Sequence, residues 1–217
     1  MNHMFNGCCS LSELDLSSFN TKKVVDMSFM FCLCELKYIN LSSFNTKNVR
    51  KMNNMFHKFK YNNDSDNLLF DITSFNTKKV TDMGKMFYFC KNIPKINLTL
   101  FDTENVINME SMFQGSDFIE LNLSSFKTDK VTDMSNMFSN CKNLSKIDLS
   151  SFNTKKVKSM IHMFDDCDLL EIDLSSFNTE NVEDMSYMFN NSNKIKKLNL
   201  SMFDTRKVKD MSFMFYE

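Results

Sequence analysis

The cysteines are the residues of this chain whose type and spacing could most readily support metal binding, redox chemistry or disulfide formation. There are seven of them, and no two form the C-x-x-C pair that zinc binding or dithiol redox work requires. Five recur at one register, and stacked neighbours there would lie about 4.8 Å apart, which admits a disulfide between Cys8 and Cys34 or between Cys141 and Cys167. Parallel side chains fit a disulfide poorly, so we interpret the ladder as buried free thiols. The five are Cys8, Cys34, Cys90, Cys141 and Cys167.

Histidines and carboxylates show no catalytic spacing either. His3, His57 and His162 fall at positions that hold varied polar residues in other parts of the chain, which is typical of a solvated surface. The aspartates recur at two registers that suit strand edges and helix caps. Glycine-rich phosphate loops, G-x-S-x-G and H-E-x-x-H are absent. We therefore expect no enzyme, no cofactor and no catalytic residue.

One short run resembles the start of a calcium loop. Asp64, Ser65 and Asp66 alternate oxygen ligands, but Leu68 takes the next ligand position and no glycine or terminal glutamate follows at the required spacing. The run lies in an insertion of about six residues. We interpret it as a solvated surface loop, and we predict no metal site.

All these residues belong to a sequence repeat, which sets their spacing along the chain. The frame Phe-x-Thr-x-x-Val-x-x-Met-x-x-Met-Phe returns about every 25 residues, which is the signature of a repeat array. We expect residues 1–217 to form a single domain of eight repeats and a partial N-terminal repeat, as a fragment of a longer array. The copies begin at Phe19, Phe44, Phe75, Phe101, Phe126, Phe152, Phe177 and Phe203.

Each copy contains one strand-like and one helix-like segment. Leu14 and Leu16 alternate with polar residues, as in a strand with one buried face, and strands stacked once per period must pair in parallel. Met134, Met137 and Phe138 share one face of a helical turn, and Asp133 before them is a good N-cap. The pattern predicts a right-handed α/β repeat solenoid. In it, each coil of about 25 residues supplies one short parallel strand to a continuous eight-stranded sheet and one short helical turn.

The stretches LSELDLSSFNTKKVVDMSFMF and LNLSSFKTDKVTDMSNMFSNC resemble the BspA-like leucine-rich-repeat family. That repeat is often found in bacterial surface proteins and lipoproteins. The resemblance implies a leucine-rich-repeat solenoid used for adhesion and protein binding. It also implies a cell-surface or secreted location.

Charge and hydropathy exclude other classes of function. The chain has 26 basic and 27 acidic residues, so no general field favours nucleic acid. No apolar run approaches the roughly 20 residues that span a bilayer, and the start MNHMFNGCCS lacks the pattern of a secretion signal. We predict non-enzymatic protein binding or adhesion. An intracellular interaction scaffold and a purely structural spacer are the alternatives.

A partner site is predicted on the strand side. Tyr38 and Leu69 occupy the same register in neighbouring copies, and the inserted loop beside them contains Tyr61. Aromatic and apolar side chains on such a face are common interface anchors. We expect a protein partner at these three residues, and we leave its identity and the oligomeric state open.

Overall fold

The computed structural model describes residues 1–62 and 70–216. In these ranges the chain winds into stacked coils, each of which is bridged in parallel to the next. The clearest column of bridges passes through the residue before the first methionine of each repeat. Its members are Asp26, Lys51, Asp82, Asn108, Asp133, Ser159, Asp184 and Asp210.

The described chain contains six short strands. β1 (Glu13–Asp15) pairs with β3 (Tyr38–Asn40), β2 (Glu35–Leu36) pairs with β4 (Lys60–Tyr61), and β5 (Glu120–Asn122) pairs with β6 (Lys146–Asp148). We call the side that carries β1, β3, β5 and β6, which share one register before the frame phenylalanines, the strand side. All three pairs are parallel, and Glu120 lies opposite Lys146. The strand prediction from the Leu-x-Leu alternation is therefore right locally.

The predicted continuous eight-stranded sheet is wrong. The described residues form three separate two-stranded sheets, and Glu171 meets Lys197 only through an isolated bridge. The strands stay short because the chain turns as each one ends. Asp15 Oδ1 accepts the backbone N–H of Ser17 at 2.9 Å, and this local bond competes with further strand pairing.

The predicted helical turns are also wrong, so the chain is not an α/β solenoid: the described residues contain no helix. Each expected turn holds a residue with a left-handed backbone, such as Phe29 (φ 56°) or Asn136 (φ 58°). That conformation cannot belong to a right-handed helix. The supposed N-cap aspartates instead close local turns, as Asp26 Oδ1 does by accepting the N–H of Ser28 at 2.8 Å.

The segment in place of each helix is a series of consecutive turns, which we call the turn ribbon (27–34 and its equivalents in later coils). Alternate N–H groups leave the coil: Met27 N donates to Lys51 O at 3.0 Å, and Phe31 N donates to Met55 O at 2.9 Å. Between them, Met30 N donates back to Met27 O at 3.2 Å. A helix would use these donors inside one coil, whereas the turn ribbon uses half of them to join two coils.

The core has the composition that the repeat predicts. Met27, Met30 and Phe31 have no exposed surface, because turns of about three residues place the same side chains inward as a helix would. The second phenylalanine of each frame stacks on its neighbours along the axis, with ring centroids 5.5 to 5.8 Å apart in the described chain. These rings are Phe5, Phe31, Phe56, Phe87, Phe113, Phe138, Phe164, Phe189 and Phe215.

Candidate functional site

The strand side carries a groove that crosses four coils. Its volume is about 910 Å³. It begins at residues 70–73, runs past 95–99, which pair in no strand, and ends over β5 and β6. The lining residues are Phe70, Asp71, Thr73, Lys95, Ile96, Asn97, Leu98, Thr99, Glu120, Leu121, Asn122, Lys146 and Asp148.

Pro94 explains part of this lack of strand pairing. At the equivalent register, Lys37 N donates to Ser12 O at 2.6 Å and Ser145 N donates to Ile119 O at 2.9 Å, so this N–H normally ties a coil to the one before it. Proline has no N–H to donate. Pro94 still accepts, from Ile119 N at 2.9 Å, so its coil is joined to the next one. At this register the backbone hydrogen bond to the preceding coil cannot form, although Lys91 N still donates to Phe59 O of that coil.

The floor of the groove is apolar. Phe70 (4% exposed), Leu98 (1%) and Leu121 (3%) reach it from three neighbouring coils. Side chains that form part of the core thus also line a surface depression. An apolar floor beneath polar edges is the usual make-up of a binding groove.

The polar edge contains a row of four equivalent side chains, which we call the rim row: Asp71, Asn97, Asn122 and Asp148. Each one uses its Oδ1 to accept the N–H of the residue two positions on, at 2.8 to 3.1 Å. The Ser150 hydroxyl and N–H hold the pKa of Asp148 below its ordinary value. No other described residue bonds the remaining Oδ2 or Nδ2 atom of any of the four.

Charged side chains flank the rim row. Lys95 Nζ lies 3.3 Å from Glu120 Oε1, and both side chains are about half exposed or more. Lys146 is exposed one coil further on, and none of the described ion pairs or hydrogen bonds involves its ammonium group. The groove therefore combines one neutralised pair with Lys146, whose positive charge acts on Asp148.

The predicted partner residues differ in their exposure to solvent. Tyr38 lies in β3 at 38% exposure, on the strand side and in the same register as Lys95 and Glu120. Tyr61 lies in β4 at 5% exposure and packs against Phe59 and Phe70, so its ring belongs to the core rather than to an exposed loop. Leu69 lies outside the described residues. The partner site at these residues stays a prediction.

All seven cysteines are free in the structure. Those of the buried ladder donate to a carbonyl of the preceding coil, as Cys141 Sγ does to Phe113 O at 3.1 Å and Cys167 Sγ does to Phe138 O at 2.7 Å. Burial raises the pKa of the Cys141 and Cys34 thiols to about 12, and it raises that of Cys167 as well. These thiols are protonated near neutral pH and therefore are poor nucleophiles.

Two histidines stack on tyrosine rings of the next coil. His162 lies 4.5 Å from Tyr187, ring to ring, and its Nδ1 is 2.8 Å from Asp165 Oδ2. His57 stacks on Tyr88 at 4.6 Å, and burial lowers its pKa with help from two nearby lysines. No nucleophile is placed against either imidazole by the hydrogen bonds of the described residues.

Metal and membrane sites receive no support from the geometry. In the described part of the chain, no three His, Cys, Asp or Glu side chains are grouped so that they could hold a metal ion. The run from Asp64 to Asp66, with its resemblance to a calcium loop, lies outside the described residues. Across 1–62 and 70–216 we find no helix with the length and apolar character that a bilayer crossing requires.

The groove is the feature that sequence reasoning missed. A signal was present, because Pro94 is the one proline of the chain and stands at the start of a segment that otherwise reads as a central strand. Proline in such a position argues against full pairing. The repeat periodicity favours an unbroken sheet at the same position, and Pro94 is the residue that opposes it.

Comparison with known proteins identifies a family. A family model described as "Mycoplasma protein of unknown function, DUF285" matches residues 1–70, 59–147 and 142–217, so three successive matches cover the whole chain. Neither the curated proteins nor the solved structures contain a match.

Proposed function

The chain belongs to the DUF285 family, described as Mycoplasma proteins of unknown function, and within it we propose that this chain is a non-enzymatic repeat protein that binds other proteins. The groove on the strand side carries the proposal. It has an apolar floor, a rim of side-chain donors and acceptors, and a length of four coils, which suits a stretch of polypeptide. Adhesion at a cell surface is the form of binding that the leucine-rich-repeat resemblance implies.

The chemistry of the remaining side chains supports binding over catalysis. Burial keeps thiols such as Cys141 protonated, and Asp15 and Asp173 are used in turns that end their strand segments. Residues with such structural duties are not free for acid–base work. The rim row makes the same turns, but its second polar atom is unbonded on four consecutive coils beside the apolar floor of the groove, where a partner can contact it.

Selection of peptides on the purified chain tests the proposal. A phage-displayed library of random peptides is selected on the immobilised protein, and enriched peptides are then measured against Lys146→Trp, which fills the groove. Lys197→Trp is the matched control, since Lys197 occupies the same register, is also exposed and lies outside the groove. We expect binding to be lost with Lys146→Trp and kept with Lys197→Trp. Failure to enrich any peptide, or equal binding to both variants, contradicts a protein-binding groove and favours a structural spacer.

A further inference from the structure

We infer that the groove binds an extended peptide that carries basic side chains at positions i and i+4 and a carboxylate side chain at i+2. This inference rests on the proposed protein-binding function and specifies the partner's chemistry. It follows from three features of the groove: which rim atoms are left available, how far apart they lie, and where the nearby charges sit.

The rim row offers its groups in a fixed order. Because each side chain uses Oδ1 in its own turn, Asp71 and Asp148 present a carboxylate oxygen at the two ends of the row, while Asn97 and Asn122 present amide N–H groups in the middle. The order along the axis is acceptor, donor, donor, acceptor. A complementary ligand therefore carries donors at both ends and an acceptor between them.

The spacing of the rim row selects an extended peptide. Asp71 and Asp148 are separated by three coil steps of about 4.8 Å each, or roughly 14 Å in all. An extended chain rises about 3.3 Å per residue, so side chains at i and i+4 lie roughly 13 Å apart and project from the same face. The side chain at i+2 then falls about midway, between Asn97 and Asn122.

Charge decides the identity of each ligand group. The terminal carboxylates of Asp71 and Asp148 favour lysine or arginine and disfavour phosphate or other polyanions. In the middle, two amide N–H groups match the two oxygens of one carboxylate. Lys146 lies on the same coil as Asp148 and its charge acts on that carboxylate, so the preference for a central carboxylate comes from the two amides. Lys95 contributes little charge, because Glu120 already neutralises it at 3.3 Å.

Synthetic peptides test this pattern directly. A fluorescein-labelled peptide containing Lys-Thr-Glu-Thr-Lys is titrated with the protein by fluorescence anisotropy at low salt, beside a peptide in which the two lysines are one residue closer. We expect the first to bind at least about fivefold more tightly, and we expect raised ionic strength to reduce the difference. Equal affinity for the two peptides overturns the inference.

Variants of the protein locate the contacts. Asp71→Asn with Asp148→Asn keeps the Oδ1 that each turn needs, as Asn97 does naturally, but removes both negative charges. We expect affinity for the peptide to fall about fivefold. Asp15→Asn with Asp173→Asn makes the same change at the same register outside the groove, and it should leave affinity unchanged. Equal loss in both double variants overturns the inference.

The outcome also separates this inference from the proposed function. If library peptides bind in a way that Lys146→Trp blocks but lack the basic–acidic–basic pattern, the partner chemistry is wrong and the protein-binding groove stands. If no peptide of either kind binds, both fall. A charge exchange completes the test: Asn122→Asp should weaken the peptide with a central glutamate and strengthen one with a central lysine.

Discussion

Thr128 and Asn153 form a reciprocal pair of hydrogen bonds between neighbouring coils. The Thr128 hydroxyl donates to the backbone carbonyl of Asn153 at 2.9 Å, and it accepts the backbone N–H of the same residue at 2.8 Å. The threonine side chain is fully buried. The repeat conserves this arrangement along the described stack, as Thr21 bonds Asn45 and Thr154 bonds Asn178 in the same way. Each corner threonine thus joins its coil to the next.

Thr128→Val should destabilise the protein by about 1 to 3 kcal/mol. The substitution keeps the shape of the side chain but removes both bonds and leaves two backbone groups of Asn153 without partners. Urea unfolding followed by circular dichroism measures the change. Thr128→Ser is the control, because it keeps the hydroxyl and should cost clearly less. If the two variants lose the same free energy, the bonds to Asn153 do not stabilise the fold.

Phe126→Ala should cost about 3 to 5 kcal/mol. Phe126 has no exposed surface, and its ring centroid lies 6.5 Å from that of Phe113, so truncation leaves a cavity in the core. Met202→Ala is the comparison, since Met202 is 70% exposed and should change stability by less than about 0.5 kcal/mol. A loss below about 1 kcal/mol for Phe126→Ala would show that packing of this ring contributes little to the stability of the core.

The spacing of apolar residues predicted which side chains are buried in the inner coils, whereas Met211 and Phe215 of the last copy are exposed. Met27, Met30 and Phe31 are buried as expected, although they sit on turns and not on a helix. Periodicity near three residues is shared by a helix and by consecutive turns, so it cannot separate the two. The distinction depends on Phe29 and its equivalents, whose left-handed backbone is not required by residue type. Most of these positions hold residues with no preference for positive φ.

The groove and the corner bonds follow from relations between coils, which a single repeat does not reveal. Thr128 bonds Asn153, which belongs to the next coil. Pro94 likewise shows its effect only beside Lys37 and Ser145, which donate at the same register in other coils. Sequence reasoning placed Tyr38 on the exposed strand side, yet it could not foresee that Tyr61 packs inward against Phe70.

Asn136→Gly should leave stability unchanged or raise it slightly, whereas Asn136→Val should lower it by about 1 to 2 kcal/mol. Asn136 has φ 58°, and its N–H donates to Ile161 O at 2.8 Å, so any substitute must adopt the left-handed conformation to keep that bond. Glycine does so without strain, but a β-branched side chain does not. Thermal and urea unfolding of both variants provide the measurement. Equal stability of the two variants would mean that the left-handed backbone at residue 136 does not affect the free energy of unfolding.

Replacing Cys141 and Cys167 with serine should reduce the loss of stability at alkaline pH. Burial raises the pKa of Cys141 to about 12 and raises that of Cys167, whereas a thiol in the unfolded chain ionises near about 8.5. Above that pH the unfolded state releases thiol protons that the folded state retains, so the folded form loses free energy relative to the unfolded one. The contribution is fully present below about pH 8.5 and is lost progressively toward pH 12, at about 1.4 kcal/mol per pH unit for each thiol.

Serine is a suitable replacement because Ser116 and Ser192 occupy the same register and donate to Phe87 O and Phe164 O as the thiols do to theirs. We expect the double variant Cys141→Ser, Cys167→Ser to remain within about 2 kcal/mol of the natural chain at pH 7. Between about pH 9 and 11 its unfolding free energy should fall less steeply, by roughly the contribution of two thiols. Parallel urea titrations across this range compare the slopes. Identical slopes would show that these two thiols do not stay protonated when the folded chain is brought to alkaline pH.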